Sequence, residues 1–169
     1  MRQQFSKIFL TSLMLNSISY ASDGIEEMYG FVGIQASATQ YDNISSPSIG
    51  LKYGQQTASW RTAISYNYGE DSNDRFQSLI IQMDKGILTD AFKNIPFKPY
   101  LGFSLGLVEH SGNTVGTDRG YLYGLNGGFN YVLNNSMDID LGYRYMVSSK
   151  LKDIDNNTNL MLSLHYYFE

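Results

Sequence analysis

Along most of the chain apolar and polar residues alternate one by one. In residues 137–147, MDIDLGYRYMV, Met137, Ile139, Leu141, Tyr143, Tyr145 and Val147 fall on one parity, and Asp138, Asp140, Gly142, Arg144 and Met146 on the other. Successive strand side chains point to opposite faces, so this is a strand with one apolar and one charged face. Such segments recur to the C-terminus between turn-forming clusters. The pattern predicts eight strands, near 28–39, 48–54, 58–68, 76–84, 99–109, 121–133, 137–147 and 158–168. The apolar parity carries Ile49, Leu51 and Tyr53 in the second, Trp60, Ile64, Tyr66 and Tyr68 in the third, and Leu101, Phe103, Leu105 and Leu107 in the fifth. The sixth adds Tyr121, Tyr123, Leu125, Phe129, Tyr131 and Leu133. Lys52, Arg61, Ser65, Ser104, Asn126, Asn130, Ser163 and His165 occupy the other parity. The first and fourth segments alternate less cleanly, since Tyr29, Phe31 and Ile80 fall on the polar side.

The connections alternate in character too. Gln55 with Gln56 and Asn134 with Asn135 read as tight turns, whereas 41–47, 69–75, 110–120 and 148–157 read as longer loops rich in Gly, Ser, Asn and Asp. Residues 85–98 break the rule, and their Ile87, Leu88, Ala91, Phe92 and Ile95 fit either an interfacial amphipathic turn or a strand end plus a loop.

In a soluble sheet the charges would meet water, and in a membrane barrel the apolar row would meet lipid. The aromatic residues discriminate. Tyr53, Trp60, Phe129, Tyr131, Tyr166 and Phe168 gather at the short-turn ends, and Tyr66, Tyr68, Tyr121, Tyr123, Tyr143 and Tyr145 at the loop ends. Two girdles around an aliphatic band are the mark of a wall crossing two membrane interfaces. The expected fold is therefore all-β, an eight-stranded antiparallel up-and-down transmembrane barrel.

Composition sharpens this. Residues 1–21 hold Arg2 and Lys7, an apolar run from Ile8 to Leu15 and small residues up to Ala21, which is the pattern of a bacterial signal peptide. Residues 22–169 would then form the barrel domain. That part has no run of about 18 apolar residues, so it carries no transmembrane helix. With zero cysteines there is no disulfide framework. Loss of Arg2 and Lys7 takes the formal charge from -4 to -6, against nucleic acid as a partner.

The segments PFKPYLGFSLGL, DIDLGYRY and LMLSLHYYF resemble strands of the small eight-stranded outer-membrane barrels of the OmpA and OmpX type. The resemblance implies a bacterial outer-membrane location, contact with membrane lipid and lipopolysaccharide, and a monomer. It also implies a C-terminal signal for the barrel assembly machinery, matched by Leu160, Leu162, Leu164, Tyr166 and Phe168, although Glu169 follows the aromatic on which that family usually ends.

On the inner parity Lys52, Arg61 and Arg144 stand against Asp84, Asp138 and Asp140, with Gln35, Gln82 and Asn126 able to bridge them. Eight strands enclose a space that side chains fill, so these charges are expected to pair as a plug. A lipid-directed hydrolase would need Ser, His and an acid together on the outer wall. In Glu109-His110-Ser111 the His and Ser are consecutive and cannot share a face, and Ser163 and His165 share the inner one. Asp153, Asp155 and Asn157 mimic the start of a calcium loop, but Thr158 and Leu164 stand where its Gly and bidentate Glu belong. The expected role is thus non-enzymatic, with neither metal nor cofactor: a plugged barrel whose loops meet an extracellular partner. A narrow pore for small solutes and a soluble lipocalin-like calyx are the alternatives.

Overall fold

The computed structural model describes residues 27–41, 44–71, 74–87, 91–92, 94–112, 116–149 and 156–168. The segment read as a signal peptide lies outside them, as do Asp153, Asp155 and Glu169. The strands are β1 (Tyr29–Tyr41), β2 (Ile44–Gln56), β3 (Trp60–Asp71), β4 (Asp74–Gly86), β5 (Phe97–Gly112), β6 (Gly116–Asn134), β7 (Met137–Ser149) and β8 (Asn156–Phe168). Each pairs antiparallel with its sequence neighbour, and β1 pairs with β8, closing the barrel. Closure leaves no edge of unpaired N–H and C=O groups, which a wall in hydrocarbon requires.

Burial follows the alternation. Outward Ile49 and Leu125 are 70 % and 72 % exposed, whereas inward Arg144 and His165 are 0 % exposed. The rings expected at the two rims are on the outer wall, and Phe97 joins the turn-end set, tilted against Phe129 at 5.2 Å. At the other rim the Tyr66 hydroxyl donates to Gln77 Oε1 at 2.8 Å and the Tyr145 hydroxyl to Asn156 Oδ1 at 2.8 Å. Each ring thereby keeps an apolar body toward the band and a polar tip toward the headgroups. The strand register shifts in β6. A bulge between Val132 and Asn134 leaves Val132 as exposed as Leu133.

The connections differ from the sequence reading. Much of the expected loop sequence is paired strand: Thr39 faces Ser46, Glu70 faces Arg75, and Ser111 faces Thr117. Of the expected loops, 42–43, 72–73, 113–115 and 150–155 lie outside the described residues. Beyond the membrane a ladder needs no apolar face, so a polar β-ribbon carries no alternation and reads as loop. The β5–β6 ribbon reaches Gly112 opposite Gly116, whose φ of 76° is the left-handed conformation that glycine adopts freely. At the opposite end Gln55 and Gln56 belong to β2, and the turn falls on 57–59, where the Thr57 N–H donates to Trp60 O at 2.8 Å. Asn134 closes β6, and the turn is Asn135 and Ser136.

In the long connection β4 runs to Gly86 and β5 starts at Phe97, with turns but no helix among the described residues between them. Of the two readings of 85–98, the described residues fit the strand end plus loop. It is tied down by Gly86 N–H to Ser59 O at 3.0 Å and Val132 N–H to Pro96 O at 2.9 Å.

Candidate functional site: the filled lumen

The inward parity stacks side chains in layers along the barrel. Nearest the turn end, the Tyr167 hydroxyl donates to Asp138 Oδ2 at 2.6 Å, and His165 Nδ1 lies 2.8 Å from Asp138 Oδ1. Phe31 caps both rings, 4.8 Å from His165 and 5.5 Å from Tyr167. Above it lies the main ionic layer. Arg61 reaches Asp84 at 2.8 Å, Asp140 at 3.1 Å and Asn130 Oδ1 at 2.8 Å, with its guanidinium 4.5 Å from the centre of the Tyr100 ring. Lys52 Nζ lies 3.3 Å from Asp140. Tyr100 crosses the lumen because Gly128 and Gly142 make room for it: a Cβ at either would stand 2.7 Å from its hydroxyl. That hydroxyl donates to Asp140 Oδ1 at 2.7 Å.

The next layer is a relay of amides. Arg144 donates to Gln82 Oε1 at 2.6 Å, Gln82 donates to Asp84 at 2.8 Å, and Asn126 donates to the same carboxylate at 2.5 Å while accepting from Ser104 at 2.8 Å. Gln35 donates to Asn67 at 2.8 Å. Toward the ribbon end comes an apolar layer of Ile80, Val108, Leu122 and Met146, all buried. At the rim His110 stacks on Phe76 at 4.4 Å, and its Nε2 lies 2.7 Å from Asp74 Oδ1.

The structure thus brings Lys52, Arg61, Asp84 and Asp140 into direct ion pairs. Asp138 and Arg144 depart from the expected pairing: the first is taken by His165 and Tyr167, and the second forms no ion pair among the described residues. Arg144 Nε and Nη1 also lack a hydrogen-bond partner there. Spacing along the strand explains the departure: Asp138 lies two residues before Asp140, below the layer of Lys52 and Arg61, and Arg144 lies four residues after Asp140, above the carboxylates of that layer. Sequence reading missed the apolar layer and Tyr100. Ile80 on the polar parity was the available signal, and Leu122 and Met146 gave the same one within strongly alternating strands.

The interior is charged toward the turn end, and toward the ribbons the apolar cluster of β4 to β7 stands beside buried Thr39, Ser46, Asn67, Asn157 and Asn159 of β1, β2, β3 and β8. The outside is the apolar surface, the inverse of a ligand calyx. Both histidines of the chain point inward, so no Ser–His pair faces the lipid side. Leu160, Leu162, Tyr166 and Phe168, expected from the resemblance to form an assembly signal, are exposed on the outer wall of β8, with Leu164 half-buried beside them. At the turn end a recess of about 400 Å³ opens among Trp60, Ile87, Phe92, Tyr100 and Asn130, and its floor is Arg61 with Asp84. Among the described residues no group of His, Cys, Asp or Glu is spaced to hold a metal ion.

No family model matches the chain, and no curated protein matches it. Solved structures do share its architecture. Neisserial surface protein A (NspA) superposes with a TM-score of 0.68 at 21 % identity, over 86 % of this chain and 100 % of that one. Outer membrane protein H (OprH) of Pseudomonas aeruginosa does so with a TM-score of 0.61 at 23 % identity, over 83 % and 99 %. The outer-membrane enzyme PagL gives 0.50 at 16 % identity, over 80 % and 98 %. The chain has the fold of the small eight-stranded outer-membrane barrels, and its apolar belt is the surface by which such a barrel sits in that membrane. The same scaffold carries an enzyme in PagL, so role must be argued from side chains and not from fold.

Proposed function

We propose that the chain is a non-enzymatic bacterial outer-membrane barrel with a closed lumen, whose polar β-ribbons meet an extracellular partner in adhesion or host contact. The observation that carries this reading is the side-chain-filled interior, where the Arg61–Asp84–Asp140 layer lies below the apolar cluster and the buried polar Thr39, Ser46, Asn157 and Asn159, so that the ribbons are the surface left for function. Both strands at the barrel's chain ends, β1 and β8, have those ends at the turn rim, which faces the periplasm, and the ribbons face outward. Leu160, Leu162, Leu164, Tyr166 and Phe168 serve recognition by the barrel assembly machinery. The barrel works as a monomer surrounded by lipid and lipopolysaccharide. The inward direction of His110 and His165 supports the non-enzymatic reading, because a lipid-directed hydrolase would need its base on the outer wall.

A second reading, a narrow pore for small solutes, draws on the recess at the turn end, which would be its vestibule. The Arg61–Asp84–Asp140 layer and the apolar layer beyond it weigh against that reading.

The test uses the absence of native cysteine. Cysteine at Thr117 or Ser149 should react with a membrane-impermeant reagent on intact cells, and cysteine at Ala58 or Ser136 only after permeabilisation. The reverse pattern would invert the orientation, and uniform labelling would overturn membrane insertion. Replacing 111–117 by a tight hairpin turn should preserve the heat-modifiable folded band and abolish surface adhesion; unchanged adhesion would remove the ribbon from the proposed role.

A further inference from the structure

Arg144 is fully buried inside the barrel, and a guanidinium stays protonated there. A buried charge is costly unless something answers it. The carboxylates of the lumen are committed elsewhere. Lys52 and Arg61 share Asp140, Arg61 also holds Asp84, and Asp138 is taken by His165 and Tyr167. Arg144 has the neutral Gln82 Oε1 at 2.6 Å, and Gln82 stands between it and Asp84. Its Nε and Nη1 donate to no described residue.

On the side toward β8, β1, β2 and β3, Arg144 borders an enclosed cavity of about 10 Å³ together with Thr39, Ser46, Ser78, Asn157 and Asn159. Gly69, inward on β3, leaves room for it: a Cβ there would stand 3.2 Å from Ser46 Oγ. A space of that size takes one water-sized body. The hydroxyls of Thr39, Ser46 and Ser78 can each turn a proton toward it. The Oδ1 atoms of Asn157 and Asn159 accept no hydrogen bond from a described residue, so neither amide is fixed by its oxygen. Turning the Asn159 amide by half a revolution keeps its 2.5 Å link to Thr39, whose hydroxyl then donates instead of accepting, and brings Nδ2 to where Oδ1 stands.

We infer that this cavity binds one monatomic monovalent anion of halide size, held by Arg144 Nε and Nη1 and by the surrounding hydroxyls. A water molecule would satisfy hydrogen bonds there but leave the charge of Arg144 unanswered, whereas a halide does both. Phosphate, sulfate and carboxylates are excluded by size. The site lies within the lumen and is independent of which rim faces the periplasm, so it stands or falls separately from the role proposed for the ribbons.

Two measurements on the folded full-length barrel test it. Crystals grown in sodium bromide should show an anomalous bromine peak within hydrogen-bond reach of Arg144 Nε and Nη1. Vesicle-inserted protein unfolded by urea in about 0.3 M sodium bromide, compared with an equal concentration of sodium gluconate, should have its folded-to-unfolded ratio raised about tenfold, the linkage given by a dissociation constant near ~30 mM. Arg144→Met should abolish that difference, and Lys85→Ser, on the outer wall beside Trp60, should keep it. Water alone at Arg144 in the bromide crystals, bromide only at other places, equal stability in the two salts, or a halide effect that survives Arg144→Met would each overturn the inference. The bromine peak is read on the unaltered chain, so the test holds even where Arg144→Met does not give the heat-modifiable folded band.

Discussion

Replacing Arg61 by methionine keeps much of its volume and removes the charge at the centre of the lumen. Arg61 is 4 % exposed and bridges Asp84 at 2.8 Å and Asp140 at 3.1 Å. Without it Asp84 keeps only Gln82 and Asn126 as donors, and Asp140 keeps Lys52 and the Tyr100 hydroxyl. Breaking a buried ion pair from one side costs roughly 3–5 kcal/mol, because the abandoned carboxylate is not rehydrated. The remaining donors put Arg61→Met near the lower end, at about 3 kcal/mol. If stranded charge is the cause, Arg61→Met with Asp84→Asn should recover about 1–2 kcal/mol, although it changes one more native residue. Urea unfolding of vesicle-inserted protein, followed by the fluorescence of the single tryptophan at position 60 and by the gel band, measures both values. A cost under about 1 kcal/mol, or no recovery in the double variant, would refute the coupling of these charges.

Arg144→Met should cost less than half as much as Arg61→Met in the same titration, since Arg144 has a neutral amide partner and, among the described residues, no ion pair. On the outer wall Leu141→Arg should cost roughly 2–4 kcal/mol and Tyr145→Arg, nearer the interface, no more than about 1 kcal/mol; equal costs would contradict the depth assigned to the belt. Gly142→Ala should displace the Tyr100 hydroxyl from Asp140 and destabilise by about 1–3 kcal/mol, a loss that Tyr100→Phe in the same chain should reduce by taking the clashing oxygen away.

How much of this was legible in the sequence depended on how far each residue's neighbours follow from parity alone. Strand number, the outer wall and the inward direction of Lys52, Arg61, Asp84, Asp138, Asp140 and Arg144 all follow from a period of two, and the structure has them so. Which charges meet does not follow from parity, because partners across the lumen depend on strand stagger. Lys52 and Asp140 are 88 residues apart, and no local pattern relates them. The β-ribbons were read as loops because Ser, Asn and Gly there signal a turn whether or not the backbone is paired. The apolar layer of Ile80, Val108, Leu122 and Met146 was hidden because an apolar residue on the inward parity reads as a lapse in the alternation. Inside a barrel it is a second material for the plug.

The central claim is that these layers close the lumen, and conductance tests it most directly. Purified wild-type protein in a planar bilayer should show little or no stable ion current, because an eight-stranded interior filled by Arg61, Tyr100, Gln82 and the apolar layer leaves no continuous aqueous path. Arg61→Ser with Arg144→Ser should admit water beside Asp84 and Asp140 and raise cation leakage above that baseline. A steady, ion-selective current through the wild-type barrel would contradict the closed lumen and make the pore the better account.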